Sequence, residues 1–574
     1  MVTYPSAGAS SPEGAAPGFF ARTIFNSSHK TIGLRYLWLA FASVLLGMLL
    51  SLLMRIHIVW PGAHIPFFSA LGGVPERYAA LTILHASLMV FLVLTTAPQA
   101  GFGNYFLPLQ IGAREMAFPL LNLFSFWATV VSVFALVASF LIRPESGLTL
   151  WIASVALFCL ATLLTSINFT VTTLDLRAKG MTLPRMPLTV WAWFINAILS
   201  MLIFSILLAA CVFLLSDRLL GSQFFSPLAF LGRQSSSLAQ PTVFSLWRRL
   251  FWFFAEAELY VAILPCFGFI SHLLSTFSRK PVWAERTAVL ALCGVGLFGF
   301  CIWGLHMFSS GLDPWSPFAF SQLASSLGLP SCVLLASWLG TLWKARIQFA
   351  TAMLFALGFV ALFLSGGLSG LFLAHSDFLA ASVSNEFVTG HFHLVMGIAA
   401  TFAIFAAFFF WFPKMFGRRL NETLGKLHFW LTLAGVYCVF LPMLWPGLFT
   451  HSRPLVGESV AASTPRLPLD TFITSATVIT VAVQALFFLN LVLTLRRAEE
   501  SEEQNPWRST TLEWTVPSPP SFVNFGAIDP AIYRGAYEFR PSAALDFVPQ
   551  DLPPPPSGTS SQPQRAAQAR SKET

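Results

Sequence analysis

Charge is scarce in this chain of 574 residues: 33 Lys and Arg and 25 Asp and Glu make only 10% of it charged. So little charge excludes an ordinary water-soluble globular class. Cysteine is scarce too. The seven (Cys159, Cys211, Cys266, Cys293, Cys301, Cys332 and Cys438) make no C-x-x-C or C-x-x-x-C pair. Neither a disulfide framework nor a thiolate metal site is expected, and each should pack as a small hydrophobe. No small-residue cleavage pattern follows the first apolar run, so no cleavable signal peptide is expected. Matched broken helices in two halves, the mark of many secondary transporters, are also missing.

What fills the chain instead is apolar: 56% of it, with 59 Phe. A run of about twenty apolar residues crosses the hydrocarbon of a bilayer. Twelve such runs lie near 36–54, 79–99, 118–142, 149–173, 190–216, 245–274, 286–308, 317–342, 347–374, 387–412, 427–450 and 471–496. The expected fold is an all-α integral membrane protein, a bundle of twelve transmembrane helices. Arg177, Lys179, Arg185, Arg279, Lys280, Lys344, Arg346, Lys414, Arg418, Arg419, Lys426, Arg496 and Arg497 follow even-numbered runs. The other side holds fewer, so the positive-inside rule puts the first side and both termini in the cytoplasm. The net charge of +8 thus reports topology and gives no support to nucleic-acid binding.

Three regions are expected. Residues 1–30, rich in Ser, Ala, Gly and Pro, form a mobile tail; 31–497 form the membrane domain; 498–574 form a soluble extension. Trp507, Trp514, Phe522, Phe525, Tyr533 and Tyr537 are its aromatic anchors. After about residue 553, at the run Pro553–Pro556, the chain cannot bury a core and is expected to be disordered.

The most informative residues are His391 and His393, separated only by Phe392 within an apolar run. On a helix they project about 200° apart, so one rod offers an imidazole to two sides at one membrane depth. The bland alternative is one histidine in a polar contact and the other incidental. Ligating side chains inside a span are costly and usually functional, and the pair points to a haem site.

Other segments in order along the chain carry a resemblance. They are His29-Lys30-x-Ile-Gly, Gly101-Phe-Gly-Asn-Tyr105, Ile111-Gly-Ala-x-x-Met-Ala-Phe-Pro119, Leu250-Phe-Trp-Phe-Phe254 and Ile263-Leu-Pro-x-Phe-Gly-x-Ile-Ser-His272. His391-Phe392-His393 and Thr511-Leu-Glu-Trp-x-Val-Pro-Ser-Pro-Pro520 complete the set. Together they resemble subunit I of cytochrome c oxidase, in the haem-copper oxidase superfamily. The resemblance implies a twelve-helix bundle with two haems, of a type the residues leave open, and one copper ion. It implies His85 and His393 as axial ligands of a low-spin haem, and His391 as proximal ligand of a high-spin haem. Arg55 resembles the arginine that bonds a low-spin haem formyl group, and Arg453 one of a pair near the haem propionates.

The chain also departs from the family pattern. Where the family reads W-F-F-G-H-P-E-V-Y, residues 252–260 read W-F-F-A-E-A-E-L-Y, so Glu256 replaces a copper-binding histidine. Of two adjacent histidines on span 7, only His306 remains, after Leu305. One copper ligand of three survives, and a lone imidazole with a carboxylate suits copper poorly. Copper is expected to be absent; His306 is at most a residual copper ligand and Glu256 a possible ligand of a non-haem metal. Tyr260 and Glu258 are the catalytic candidates, but Tyr260 then has no histidine to join and is expected to be a hydrogen-bonded core tyrosine. Leu334 stands where the family has a proton-channel lysine, and Val383-Ser384 where it has His-Asp. Glu115, Asn104, Asn122, Asn168 and Glu258 match the other proton route; the alternative is that they simply bond within the bundle.

The expected activity is electron transfer by a diverged subunit I with a degenerate oxygen site. The alternatives are a working proton-pumping oxidase, a nitric-oxide-reductase-like enzyme and a non-redox assembly protein. The resemblance implies subunit II-like and III-like partners, cytochrome c as indirect donor, and a bacterial inner membrane. The chain itself has no cysteine pair for a CuA-type centre.

Overall fold

The computed structural model describes residues 24–60, 74–225, 240–303, 315–374, 386–449, 467–496, 503–526, 529–540 and 546–554. Eleven described helices are long and apolar enough to cross a membrane. They are α1 (His29–Val59), α2 (Tyr78–Ile111), α3 (Pro119–Ser139), α4 (Glu145–Asp175), α5 (Leu188–Leu220) and α6 (Arg249–Ser278), then α8 (Phe318–Leu342), α9 (Thr351–Leu373), α10 (Glu386–Phe416), α11 (Glu422–Trp445) and α12 (Leu467–Arg496). Between α6 and α8 lies α7 (Glu285–Cys301), 17 residues long. Each expected run has its helix, so the twelve-helix all-α membrane bundle stands. Expected site residues His306 and Arg453, with Leu305, Val383 and Ser384, lie outside the described residues, as do 1–23 and 555–574.

Local chemistry sets the ends of these helices. Proline occupies the first turn of α3, where a backbone N–H has no helical partner. Gly112, at φ +81°, and Gly417, at φ +64°, close α2 and α10 in the left-handed region. Two helices depart from α geometry. In α2, residues Leu88–Gly103 form a wide π-helical stretch containing Pro98, which has no N–H to give. In α10, a π turn runs from His393 to Gly397, directly after the histidine pair. Such turns are frequent at functional sites.

Helices α10 and α6 are the most buried, and α1, α8 and α12 the most exposed. With water absent, helix association in a bilayer rests on packing and buried polar contacts. Much of the packing here is aromatic. Trp411 of α10 stacks on Phe106 of α2 at 4.5 Å between ring centres, with Phe102, Phe269 and Trp193 around it.

The described part of the extension packs against the bundle. Residues 503–526, 529–540 and 546–552 form an irregular strap across the bundle end that carries His29, Ile111, Ser278 and Phe416. Lys414 Nζ donates to the Val516 carbonyl at 2.6 Å and lies over the Trp514 ring. Arg279 holds Asp546 through two bonds of 2.8 and 2.6 Å. Of the expected anchors, Trp507, Trp514 and Tyr537 are buried, whereas Phe522 and Tyr533 are exposed.

Candidate functional site

Toward the other end, the helices leave a cavity of about 1530 Å³. Its wall is mostly apolar, with Arg55, Tyr78, His85, Glu256, Glu258, Tyr260, Glu386, His391 and His393 among the polar exceptions. The three expected haem histidines therefore meet around one space, from α2 and α10.

Each imidazole is held the same way. His85 Nδ1 lies 2.8 Å from the Gly47 carbonyl of α1. His393 Nδ1 lies 2.8 Å from the Thr389 carbonyl, one turn back on α10. His391 Nδ1 lies 3.1 Å from the Gly366 carbonyl and 2.9 Å from Ser369 Oγ, both on α9. A carbonyl can only accept, so each Nδ1 carries the proton and each Nε2 keeps its lone pair. That tautomer is the one that ligates a metal, and the bond fixes the ring's orientation. Among the described residues no Nε2 of the three has a hydrogen-bond partner.

Packing supports this arrangement. The His393 ring stacks on Phe440 of α11 at 4.7 Å and 10°. A Cβ added at Gly47 would meet Met89 Sδ at 2.5 Å, and one at Gly370 would meet His391 Cε1 at 3.0 Å. Glycine at both positions lets the helices approach closely enough for the rings to sit where they do. The partners Gly47, Gly366 and Ser369 escaped sequence reasoning. The small-residue run Ser365-Gly366-Gly367-Leu368-Ser369-Gly370 of α9 was the available signal.

Arg55 gives an independent sign of a missing acceptor. Its residue is 8% exposed, and among the described residues its Nε and Nη2 have no hydrogen-bond acceptor. Asp470 Oδ1 is 3.7 Å from Nη2, an ion pair beyond hydrogen-bond length. Buried donors are nearly always satisfied, so a guanidinium left this way on a cavity wall fits a ligand with acceptor atoms. Large apolar walls, three imidazoles presenting Nε2 and an unsatisfied guanidinium suit haem well.

Among the described residues no three His, Cys, Asp or Glu side chains gather to hold a metal ion. Glu256 and Tyr260, one turn apart on α6, both line the cavity. Tyr260 departs from expectation: its ring packs over Gly299 beside the cavity, and its hydroxyl has no hydrogen-bond partner among the described residues.

The five proton-route residues divide. Glu258 is on the cavity wall, where it accepts a hydrogen bond from Thr95. At the strap end, Asn122 Nδ2 donates to Asn104 Oδ1 at 2.8 Å, and the Phe118 N–H donates to Asn168 Oδ1 at 2.9 Å. Glu115, in the loop before α3, accepts from the His29 N–H at 2.8 Å, and burial pushes its carboxyl above the usual range. The strap's Asn524 bridges this cluster, meeting Lys30 Nζ at 2.7 Å and the Ala113 carbonyl at 2.9 Å.

Comparison with known proteins follows the same lines. The family model described as cytochrome c and quinol oxidase polypeptide I matches residues 31–478. An alternative cytochrome c oxidase subunit 1 from Bradyrhizobium diazoefficiens is 37% identical over 565 residues, covering 94% of each chain. A cytochrome c oxidase subunit 1 from a Synechocystis species is 35% identical, covering 90% of this chain and 92% of its own. Among solved structures, a heme-copper terminal oxidase dimer shares the fold: TM-score 0.67, 16% identity, 82% of this chain and 85% of that one.

Proposed function

The chain belongs to the cytochrome c and quinol oxidase polypeptide I family, and from that premise we propose that it carries electrons on two haems while its oxygen-reducing metal site is degenerate. One observation supports this most: three imidazoles, each tied through Nδ1, present Nε2 to a single cavity. His85 and His393, from two helices, would clamp a low-spin haem; His391 would hold a second from one side. Haem supplies a one-electron carrier whose potential the axial ligands and their surroundings tune. The chain's part is to fix those ligands in one tautomer, exclude water with apolar walls and offer Arg55 to an acceptor. Arg453 would serve the propionates.

The distal side supports the degenerate reading. Glu256 and Leu305 stand where the family has histidines, leaving His306 with a carboxylate, too few nitrogen donors for copper. Tyr260 then acts at most as an ordinary phenol, and Glu258 as a buried carboxylic acid. Glu115, Asn104, Asn122, Asn168 and Glu258 would be a remnant proton route. We place the protein in a bacterial inner membrane, both termini cytoplasmic, with subunit II-like and III-like partners and cytochrome c as indirect donor.

The test is metal and haem analysis of purified protein with oxidised and reduced spectra. Two haems and no copper are expected, and His85→Ala should abolish the low-spin bands. Bands that survive in His85→Ala would remove that axial assignment. One copper per chain, or cyanide-sensitive oxygen uptake with no second subunit I present, would restore the working oxidase. Stoichiometric non-haem iron that depends on Glu256 would favour the nitric-oxide-reductase reading.

A further inference from the structure

We propose that Asp470, at the start of α12, is a positioning residue that tunes the cavity's low-spin centre by pulling the Arg55 charge away from it. This rests on the haem reading above.

The geometry begins on α1. Gly47, whose carbonyl holds His85, and Arg55 are eight residues apart on one helix, about 12 Å by helical rise. Arg55 therefore lines the same cavity about two turns beyond the anchor of an axial ligand. Among the described residues its guanidinium has two donors without acceptors and one loose ion pair, to Asp470 at 3.7 Å. Asp470 is held in reach because α12 is fastened to α1 one turn on, where Thr474 Oγ1 donates to the Arg55 carbonyl at 3.4 Å. Glu386, the first residue of the helix bearing His391 and His393, is a second carboxyl within electrostatic reach.

A cation beside a redox centre favours the reduced, electron-richer form, and a carboxylate opposes it. Arg55 and Asp470 thus act in opposite senses on one equilibrium. An Arg55 free of Asp470 could also swing its unused donors fully toward an acceptor in the cavity. Taking 12 Å as the working distance and an effective permittivity of about 20, one unit charge shifts the oxidised-to-reduced ratio by about tenfold. For one electron that is about 59 mV.

The experiment is a redox titration of the purified haem-loaded protein, followed at its low-spin bands. Arg55→Leu should lower the midpoint by about 59 mV, Asp470→Asn should raise it, and Asp470→Glu, which keeps the charge, should leave it near the starting value. Because the acid acts through the arginine, Asp470→Asn should have much less effect in an Arg55→Leu background. Intact low-spin bands with an unmoved midpoint in Asp470→Asn would overturn the proposal, as would full additivity in the double variant. A chain with no low-spin bands at all fails earlier, at the haem reading itself, and takes this inference with it.

Discussion

Arg55 and Arg279 are both buried, at 8% and 4% exposure, and both sit where helices end. Arg279 is saturated: two bonds to Asp546, one each to the carbonyls of Trp507 and Arg508 at 2.9 Å, and the Phe539 ring 4.9 Å from its guanidinium carbon. Among the described residues Arg55 makes no hydrogen bond through Nε or Nη2 and has one ion pair at 3.7 Å. The two ends of the bundle differ as these arginines do. Around the strap, the buried cations Lys30, Arg279 and Lys414 find acceptors supplied by the protein. Around the cavity, Arg55 and three imidazole nitrogens face open space. Saturation marks a joint in the structure, and its lack marks a place made for something else.

The contrast predicts unequal costs. Arg279→Ala should loosen the strap by about 3 kcal/mol, the low end for removing one partner of a buried pair, since Asp546 is about a third exposed. Faster proteolysis between residues 503 and 552 would report it. Unchanged proteolysis would mean that Lys414 and Asn524 hold the strap without Arg279.

Much of this was legible from the residues, and the parts that were not have physical reasons. Twelve apolar runs gave twelve helices because in a bilayer hydropathy leaves the backbone few choices. His85, His391 and His393 could be singled out because a ligating residue in an apolar run is costly. The π turn after His393 could not, since no residue period announces an extra residue per turn. The strap reads as a soluble extension because it has no helical period. What docks it are long-range partners such as Arg279, 267 residues from Asp546. Asp470 escaped for the same reason: an acid at a helix start is ordinary until Arg55 is found opposite.

A sharper version of the comparison uses haem-free protein. Arg55→Met there should cost less than about 1 kcal/mol, because one long ion pair is lost while two unsatisfied donors vanish with it. In haem-loaded protein the same change should cost more, since the donors then have an acceptor. Thermal unfolding of both forms in detergent measures the difference. Equal cost in the two forms would show that Arg55 makes no contact with the bound group.

The smallest expected effect is a pH dependence of strap docking, and it has two limbs of opposite cause. Glu513 is fully buried, accepting from Gln110 Nε2 at 3.0 Å and Trp411 Nε1 at 3.3 Å, with His272 3.7 Å away and Lys414 near. Burial pushes its carboxyl above the usual range, so docked protein binds more protons than undocked. Its docked form is therefore most stable below about pH 4.3, the ordinary glutamate value, and weakens as pH rises from there to the shifted one. Asp546 behaves inversely: the Arg279 bonds hold its carboxyl below the usual range. Its contribution is present above about pH 3.9 and fades as pH falls through the lowered value. Strap proteolysis should thus be slowest near pH 4 and quicken on both sides. Glu513→Gln should flatten the alkaline limb alone, and Asp546→Asn the acid limb alone. An alkaline limb that persists unchanged in Glu513→Gln would remove this carboxyl as its source, and the strap's grip at its centre would then not depend on the proton that Glu513 holds.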